Sequence, residues 1–500
     1  MAEEPGNALH SRYNPSREAE RFVDSLQVPS ATRFIVVCEP GESYLAPSFR
    51  NRCPQARLIA VRLTDTLFLD SDGAWDCVWR PRANAGLVSF LIDQIPDEYL
   101  GLTRFVEWPP AAQKWSEEFE RVRNAVSSFL DIQKRVMLTR TAFGPRWLKN
   151  AFDNLMAPAS FATVIPGSSS IFLSGAGPSL NRHIDIAREA PFLVAVSSAL
   201  WSLRSQGVKP DLCVATDGGF WARRYFTHMV PDCALCIPQE AAVPVTVLER
   251  CTVVPLHYGS ALESELYGVL ELGSLPARRN GTVSGTAAEL ALSLTSGTVF
   301  ASGLDFRSSA AYHHCRPHFS ESDSRARSSR LSPEATAFFP RGDGALDIYA
   351  RWFESSANRF RARFNRLIPS GRDLKGMSDS PPARALERFR SGGTPPRIVA
   401  GADAQAMPKG ERIGRIRDYL VSLSGRFEDL MTHTAGDISR RDPALLDFMQ
   451  LADYRGFLEI APLWGAGCAT SGDSDKMGAY CANMGVVVRG LRDRVERYGR

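Results

Sequence analysis

The stretch from Ile171 to Asp217 limits the fold more than any other part of the chain. Ile171-Phe172-Leu173 runs into Ser174-Gly175-Ala176-Gly177-Pro178-Ser179-Leu180, and a helix-like segment, NRHIDIAREA, follows. An apolar run from Phe192 to Val196, a helical pattern from Ala199 to Gln206, a Gly-Val-Lys-Pro turn and a further strand from Asp211 to Asp217 complete the alternation. Strand, helix, strand, helix, strand at these spacings implies a parallel sheet with right-handed crossovers. Asn280-Gly281-Thr282-Val283-Ser284-Gly285 before the helix-like AAELALSL, and the strand Val299 to Ser302 ending at Gly303-Leu304-Asp305, repeat the geometry. Ligands of such sheets bind at the carboxyl ends of the strands. Gly175 to Ser179, Ser197 and Ser198, and Asp217-Gly218-Gly219 are expected to be exposed there.

Around this core the chain divides by composition. Its 500 residues suggest about three domains. Residues 1–30 read as an arm. Residues 31–110 read as a small α/β domain: Phe34 to Cys38 and Leu58 to Leu63 are strand-like, and Leu87 to Ile95 and Phe105 to Trp108 continue the pattern. Residues 111–157 read as a helical connector, with Phe119, Val122, Val126, Phe129 and Ile132 at helical spacing. Residues 158–377 form the central domain, and 378–398, with several Pro and Gly, a linker. Residues 399–500 read as a helical domain with helices near 412–430, 443–453 and 477–498. The fold class is α/β: a central Rossmann-like parallel sheet flanked by a small α/β domain and a helical C-terminal domain.

The composition is 44% hydrophobic and 23% charged with a net charge of +4, which excludes a disordered or collagen-like chain and does not call for nucleic acid. No run approaches the ~18 apolar residues of a membrane-spanning helix. The polar, acid-bearing N-terminus lacks the charged and apolar regions of a signal peptide. The ten cysteines are irregularly spaced, and Cys233-x-x-Cys236 has no partner pair, so reduced thiols in the cytoplasm are the expectation.

Several segments carry residue types suited to chemistry. In Gly175-Ala176-Gly177-Pro178-Ser179 the glycines let backbone amides approach a phosphate, and the helix start adds positive partial charge. The same pattern also suits a plain strand-to-helix turn. Asp217 and Asp305 each end a strand beside glycine. Each carboxylate suits a ribose hydroxyl, a divalent metal, a substrate amine or a helix cap, and two such acids on neighbouring strands could converge on one cleft. Asn280, Gly281, Thr282 and Ser284 suit either a second amide-rich anion site or helix capping. Tyr312-His313-His314-Cys315-Arg316-Pro317-His318 holds three of the eight histidines. A histidine is the usual base for a hydroxyl, and no second ligand pair at zinc spacing accompanies this cluster.

GAGPSL, AVSSALWSLRSQGVKPDLCVATDGG, NGTVSGTAAELALSL and SGLDF together resemble the motility-associated factor (Maf) family of flagellin glycosyltransferases. That core domain is shared with 6-hydroxymethylpterin diphosphokinase MptE-like proteins, and the GAGPSL loop looks like that of bacterial sialyltransferases using CMP-sialic acid. The resemblance covers roughly residues 150–377. It implies a sialyltransferase-like core and a nucleotide-sugar site at Gly175, Ala176, Gly177, Pro178, Ser179, Ser197, Ser198, Asp217 and Gly218. It further implies a substrate wall at Asn280, Gly281, Thr282, Ser284 and Tyr312, and catalytic roles for Asp305 and for His313 or His314. The implied reaction moves a nonulosonic sugar from a CMP donor to flagellin hydroxyls. CMP-sugar is a co-substrate, magnesium is admitted, and no resident cofactor or metal site is implied. Two alternatives stand beside it: a Mg-ATP-dependent 6-hydroxymethylpterin diphosphokinase holding Mg²⁺ on Asp217 and Asp305, and a non-catalytic flagellin-binding assembly factor.

Overall fold

Strand formation begins where β-branched and aromatic residues bunch. Phe34–Cys38 (β1), Arg57–Val61 (β2), Cys77–Trp79 (β3) and Thr103–Glu107 (β4) form a four-stranded sheet, all parallel, in the order β3-β2-β1-β4. The computed structural model describes residues 9–29, 32–82, 86–227, 230–307, 314–321, 329–331, 344–360, 363–400, 407–432, 442–463 and 471–499. Of the segments expected to continue the small sheet, Leu87–Gln94 is a helix, and Thr103–Glu107 is the strand.

The chain divides into two compact units. The first comprises residues 1–142, 429–441 and 453–483, and the second 143–428, 442–452 and 484–500. The boundary falls inside one 41-residue helix, Ser116–Met156. In the first unit this helix buries Phe119 and Phe129, with Val122 and Val126 partly covered. Ile132, expected in the same stripe, is 37% exposed, whereas Gln133 is buried and donates to Ile95 O at 3.2 Å. Positions 119, 122, 126, 129 and 133 keep the seven-residue spacing that one helix face requires, and Ile132 lies one residue off it. The residues expected as a separate helical domain, 399–500, are divided between the two units. Lys409–Thr432, Pro443–Ala452 and Ser471–Glu496 are its main helices.

The second unit is built on eleven strands: Ser160–Ile165 (β5), Ile171–Ser174 (β6), Leu193–Val196 (β7), Leu212–Val214 (β8), Ala234–Pro238 (β9), Thr252–His257 (β10), Leu275–Pro276 (β11), Val299–Ser302 (β12), Phe364–Leu367 (β13), Ser378–Ser380 (β14) and Arg397–Ala400 (β15). Their order is β14-β13-β12-β6-β7-β8-β9-β10-β5-β15, with β11 beside β10. All pairs are parallel except β5 with β15. β6 to β9 and β12 are almost wholly buried and apolar, as a sheet covered on both faces demands. The expected linker 378–398 is part of this architecture. Ser378–Ser380 and Arg397–Ala400 are edge strands, and Pro382 starts the helix Pro382–Arg390 between them, where its fixed φ suits the first turn.

From β6 the chain adds β7, β8, β9 and β10 on one side, and later β12, β13 and β14 on the other. The sheet therefore switches direction between β6 and β12, the place where open α/β sheets generally bind ligands. Phe172 and Phe300 pair across this switch and are fully buried. Phe300→Ala is expected to destabilise the protein by ~4 kcal/mol, read as a lowered midpoint in urea unfolding.

Candidate functional site

At the switch point the Gly175–Leu180 loop is locked to the end of β12. Gly175 N donates to Ser302 O at 2.7 Å and Gly177 N to Gly303 O at 2.8 Å. Ser179 N and Oγ both donate to the Asp305 carboxylate, Oγ at 2.8 Å, and Gly303 N donates to Ser179 Oγ at 3.0 Å. Only glycine permits this approach. A Cβ on Gly175 would lie 2.4 Å from Gly303 O, and one on Gly177 would lie 2.0 Å from Asp305 Oδ2. Gly303 has φ +76, a conformation that side chains disfavour.

The lock changes the meaning of two expected site features. The amides of Gly175, Gly177 and Ser179 already donate within the fold, and Asp305 stands where an anion would meet the start of the turn Pro178–Arg182. Asp305 is 4% exposed, so it positions the loop rather than facing a substrate. Burial raises its pKa, against the hydrogen bonds from Ser179 and the charge of Arg366. Arg366 is itself buried, bonded to Asp379 and to the carbonyls of Leu304 and Arg372. His183 ties the same region together. Its Nε2 meets Ile368 O at 3.1 Å and must carry the proton, so Nδ1 accepts from Ser302 Oγ at 2.7 Å.

Asp217 follows β8. Two strands, β6 and β7, separate β8 from β12. Three strand spacings of ~4.8 Å therefore lie between Asp217 and Asp305, so the two acids do not stand on neighbouring strands. Asp217 is exposed, and its Oδ1 accepts from Gly219 N at 2.7 Å. It makes a local turn of the kind Asp favours. Gly218 is packed so tightly that a Cβ would lie 2.3 Å from Trp147 Nε1. Asn150 holds the adjoining backbone, donating to Glu240 O at 2.9 Å and Gly218 O at 3.4 Å. Ser197, buried, and Ser198, half-buried, form a single turn after β7.

Beside Asp217 the fold gathers residues that the sequence did not single out. Arg279 pairs with both oxygens of Glu240, at 2.9 and 2.8 Å, and its guanidinium lies 4.8 Å from the Tyr258 ring centre. Burial raises the Glu240 pKa against the pull of Arg279, and the charges of Glu263 and Asp217 raise it further. Thr216 and Thr286 hydrogen-bond the Tyr258 hydroxyl, whose pKa burial pushes up to about 12. Tyr258 thus links the ends of β8 and β10 to the first turn of the helix Val283–Ser293. Thr282 caps that helix without a side-chain bond, so neither Ser284 nor Thr286 serves as the N-cap. Asn280 turns away to Glu289 at 2.9 Å, and Gly281 takes φ +67. Glu240, Tyr258 and Arg279 lie 18 to 39 positions apart in the chain, and no local motif could have announced them.

The segment 314–321 crosses the same edge. Tyr312 and His313 lie outside the described residues. Cys315 N donates to Ala176 O at 2.8 Å, Asn181 exchanges two bonds with the Arg316 backbone, and Ser202 donates to Pro317 O at 2.8 Å. His314, half-buried, stacks on His318 with ring centres 4.2 Å apart. His318 is buried, its Nδ1 is 2.7 Å from Ser320 Oγ, and its Nε2 has no partner. Burial, and then the charge of His314, push the His318 pKa down to about 3. A cavity of about 890 Å³ lined by Arg204, Cys233, Arg250 and Cys251 opens at the beginnings of β9 and β10, the opposite edge from these groups. Among the described residues no group of three or more His, Cys, Asp and Glu is placed to hold a metal, and no helix is long and apolar enough to cross a membrane.

Residues 146–310, which contain the β6–β12 lock and the Asp217 cluster, match the family model described as 6-hydroxymethylpterin diphosphokinase MptE-like. The chain carries an MptE-like domain. That domain is the centre of a larger shared architecture. The Maf glycosyltransferase from Magnetospirillum magneticum AMB-1 superposes with a TM-score of 0.57 at 14% identity, covering 99% of this chain and 90% of that one, so the fold is Maf-like around an MptE-like core. An uncharacterized protein of Treponema pallidum (strain Nichols) is 33% identical over 282 residues, 56% of this chain. The chain spans 63% of the length of that relative.

Two outcomes test this geometry. Gly303→Ala should cost ~3 kcal/mol through its left-handed φ and the clash with Gly175, whereas Gly207→Ala, with φ +69 but nothing within 4 Å, should cost only ~1 kcal/mol; chemical denaturation compares them. The His318 pKa near 3 lies below its ordinary 6.5, so the unfolded chain takes the proton first as pH falls. Stability from this residue is present above pH 6.5 and is lost toward pH 3. His318→Gln should reduce the stability lost between pH 7 and 4 by about 3 kcal/mol, read from denaturation midpoints.

Proposed function

We propose that this protein is a Maf-type glycosyltransferase that moves a nonulosonic, sialic-acid-like sugar from a CMP donor to Ser or Thr hydroxyls of flagellin, acting in the cytoplasm. The observation that carries the reading is a Maf-like fold over nearly the whole chain, with acid, hydroxyl and imidazole groups gathered at the carboxyl edge of its central sheet. The donor lies across the ends of β6, β7 and β8. Gly177 and Pro178 form its floor, the half-buried Ser198 faces the cytidine while the buried Ser197 supports its turn, and Asp217 accepts from a sugar or ribose hydroxyl.

The leaving phosphate needs positive charge, and the lock has already engaged the amides of Gly175, Gly177 and Ser179. The start of the helix Val283–Ser293 supplies that charge instead, with Gly281, Thr282 and Ser284 around it and Arg279 nearby. The bond between the anomeric carbon and the phosphate oxygen breaks through an oxocarbenium-like transition state. The acceptor oxygen bonds to that carbon, His314 takes the acceptor proton, and CMP leaves with the electron pair. Asp305 and His183 position the loop and do not meet the reacting atoms.

The diphosphokinase reading has the matched family description in its favour. The acids available to hold Mg²⁺ do not suit it. Both Asp305 oxygens face Ser179, both Glu240 oxygens face Arg279, and Asp217 stands three strands from Asp305. Purified protein should therefore gain several degrees of thermal stability with CMP and little with Mg-ATP, and stabilisation by Mg-ATP alone would overturn the transferase reading. His314→Ala should slow sugar transfer by ~100-fold or more while the CMP-induced shift remains. A wild-type protein that binds flagellin but turns over no donor would favour an assembly factor.

A further inference from the structure

Beyond Asp217 the chain turns through Phe220–Phe226, and this turn presents the most exposed aromatic pair in the second unit among the described residues. Phe220 is 59% exposed and Trp221 55%. Together they expose on the order of 250 Å² of ring surface. Single exposed apolar side chains are ordinary, but an adjoining aromatic patch marks a surface that something covers.

Three observations say what kind of partner covers it. First, Phe220 lines a recess of about 480 Å³ with Arg223, Arg224, Phe226, Thr227, Pro244, Thr246 and Val247, and no carboxylate is among them. The recess is thus lined by apolar side chains, two threonines and two arginines, of which Arg223 also donates to Asn150 Oδ1 at 3.3 Å. Secondly, the patch is continuous with the proposed site. The Arg224 guanidinium lies 5.3 Å from the Trp221 ring and 5.5 Å from that of Phe319. Phe319 and Tyr225 meet at 5.1 Å, His318 packs on Phe319 at 4.6 Å, and His314 stacks on His318. A ladder of rings and cations therefore runs from exposed Trp221 to the imidazole that would take the acceptor proton. Thirdly, the ladder is pinned to rigid parts of the fold by the Cys315, Arg316 and Pro317 backbone bonds. A partner laid along it is held in one register.

From these we infer that the Phe220–Trp221 face and its arginine-rimmed recess are the docking surface for the acceptor polypeptide: a segment bearing an apolar or aromatic side chain and carboxylates next to the hydroxyl to be modified. The inference rests on the transferase reading for the word acceptor, and its binding content can be measured apart from it. Apolar contact on the two rings supplies affinity. The arginines select acidic flanks and make association sensitive to salt. The ladder delivers the neighbouring hydroxyl to His314. A nucleotide donor has no need of this face, because it approaches from the ends of β6, β7 and β8.

Fluorescence anisotropy tests the surface with two labelled peptides that share a central Ser flanked by Leu and Phe, one carrying four Glu and the other four Gln. The wild-type protein should bind the acidic peptide about ten-fold more tightly than the amide peptide at low salt, with the difference shrinking as ionic strength rises. Trp221→Ala and Phe220→Ser should each weaken the acidic peptide about ten-fold, while hydrolysis of a CMP-activated donor in the absence of acceptor stays within two-fold of wild type. Circular dichroism and melting confirm that each variant is folded. Unchanged peptide binding in both folded variants, or equal binding of the two peptides, overturns the docking surface whatever the donor does. Loss of peptide binding in the variants combined with no donor hydrolysis by wild type supports the surface and removes the transferase reading.

Discussion

One short hydrogen-bonded contact, Ser179 against Asp305, organises the carboxyl edge of the central sheet. It joins the loop after β6 to the loop after β12 at the place where the strand order reverses. Open α/β sheets leave a crevice there because successive crossovers depart in opposite directions. In this chain the inner part of that crevice is closed by the protein's own carboxylate, with Gly175 and Gly303 brought backbone to backbone behind it. A buried acid is tolerated because Ser179 supplies two donors and Arg366 a nearby positive charge. The arrangement leaves the amides of Gly175, Gly177 and Ser179 engaged within the fold.

The second organising element is the pairing of Glu240 with Arg279 over Tyr258. It gathers the ends of β8, β9 and β10 and the start of a helix through side chains, beside the backbone bond from Ala242 N to Asp217 O. Glu240 is held in a partly desolvated setting where Arg279 favours its charged form and Asp217 opposes it. Opposed charges of this kind make a carboxylate responsive to whatever binds next to it. In the segment 314–321 His314 stacks on His318, whose burial keeps its ring neutral and makes it an uncharged support for the outer ring.

How far the sequence could be read depended on the length scale of each interaction. β1 and β12 were legible to the residue, because a run of β-branched and aromatic side chains between turn formers has few alternatives. The helix Ser116–Met156 was legible as a helix. Its buried stripe was read one residue wrong at Ile132, because a single residue separates adjacent helix faces. Residues 378–398 were read as a linker because Pro and Gly dominate them, yet the same residues start a helix and turn the chain into an antiparallel edge strand.

Parallel strands at 171–217, glycines where backbones must touch, and an acid after each of two strands were determined by the sequence itself, because they follow from periodicity and from the steric needs of single residues. Which acids meet which partners was decided only by the tertiary structure. Strand order placed Asp305 against Ser179, set Asp217 three strands away beside Tyr225, and brought Glu240, Tyr258 and Arg279 into one cluster. Order within a sheet depends on how crossovers pack over the whole core. No window of the chain contains that information.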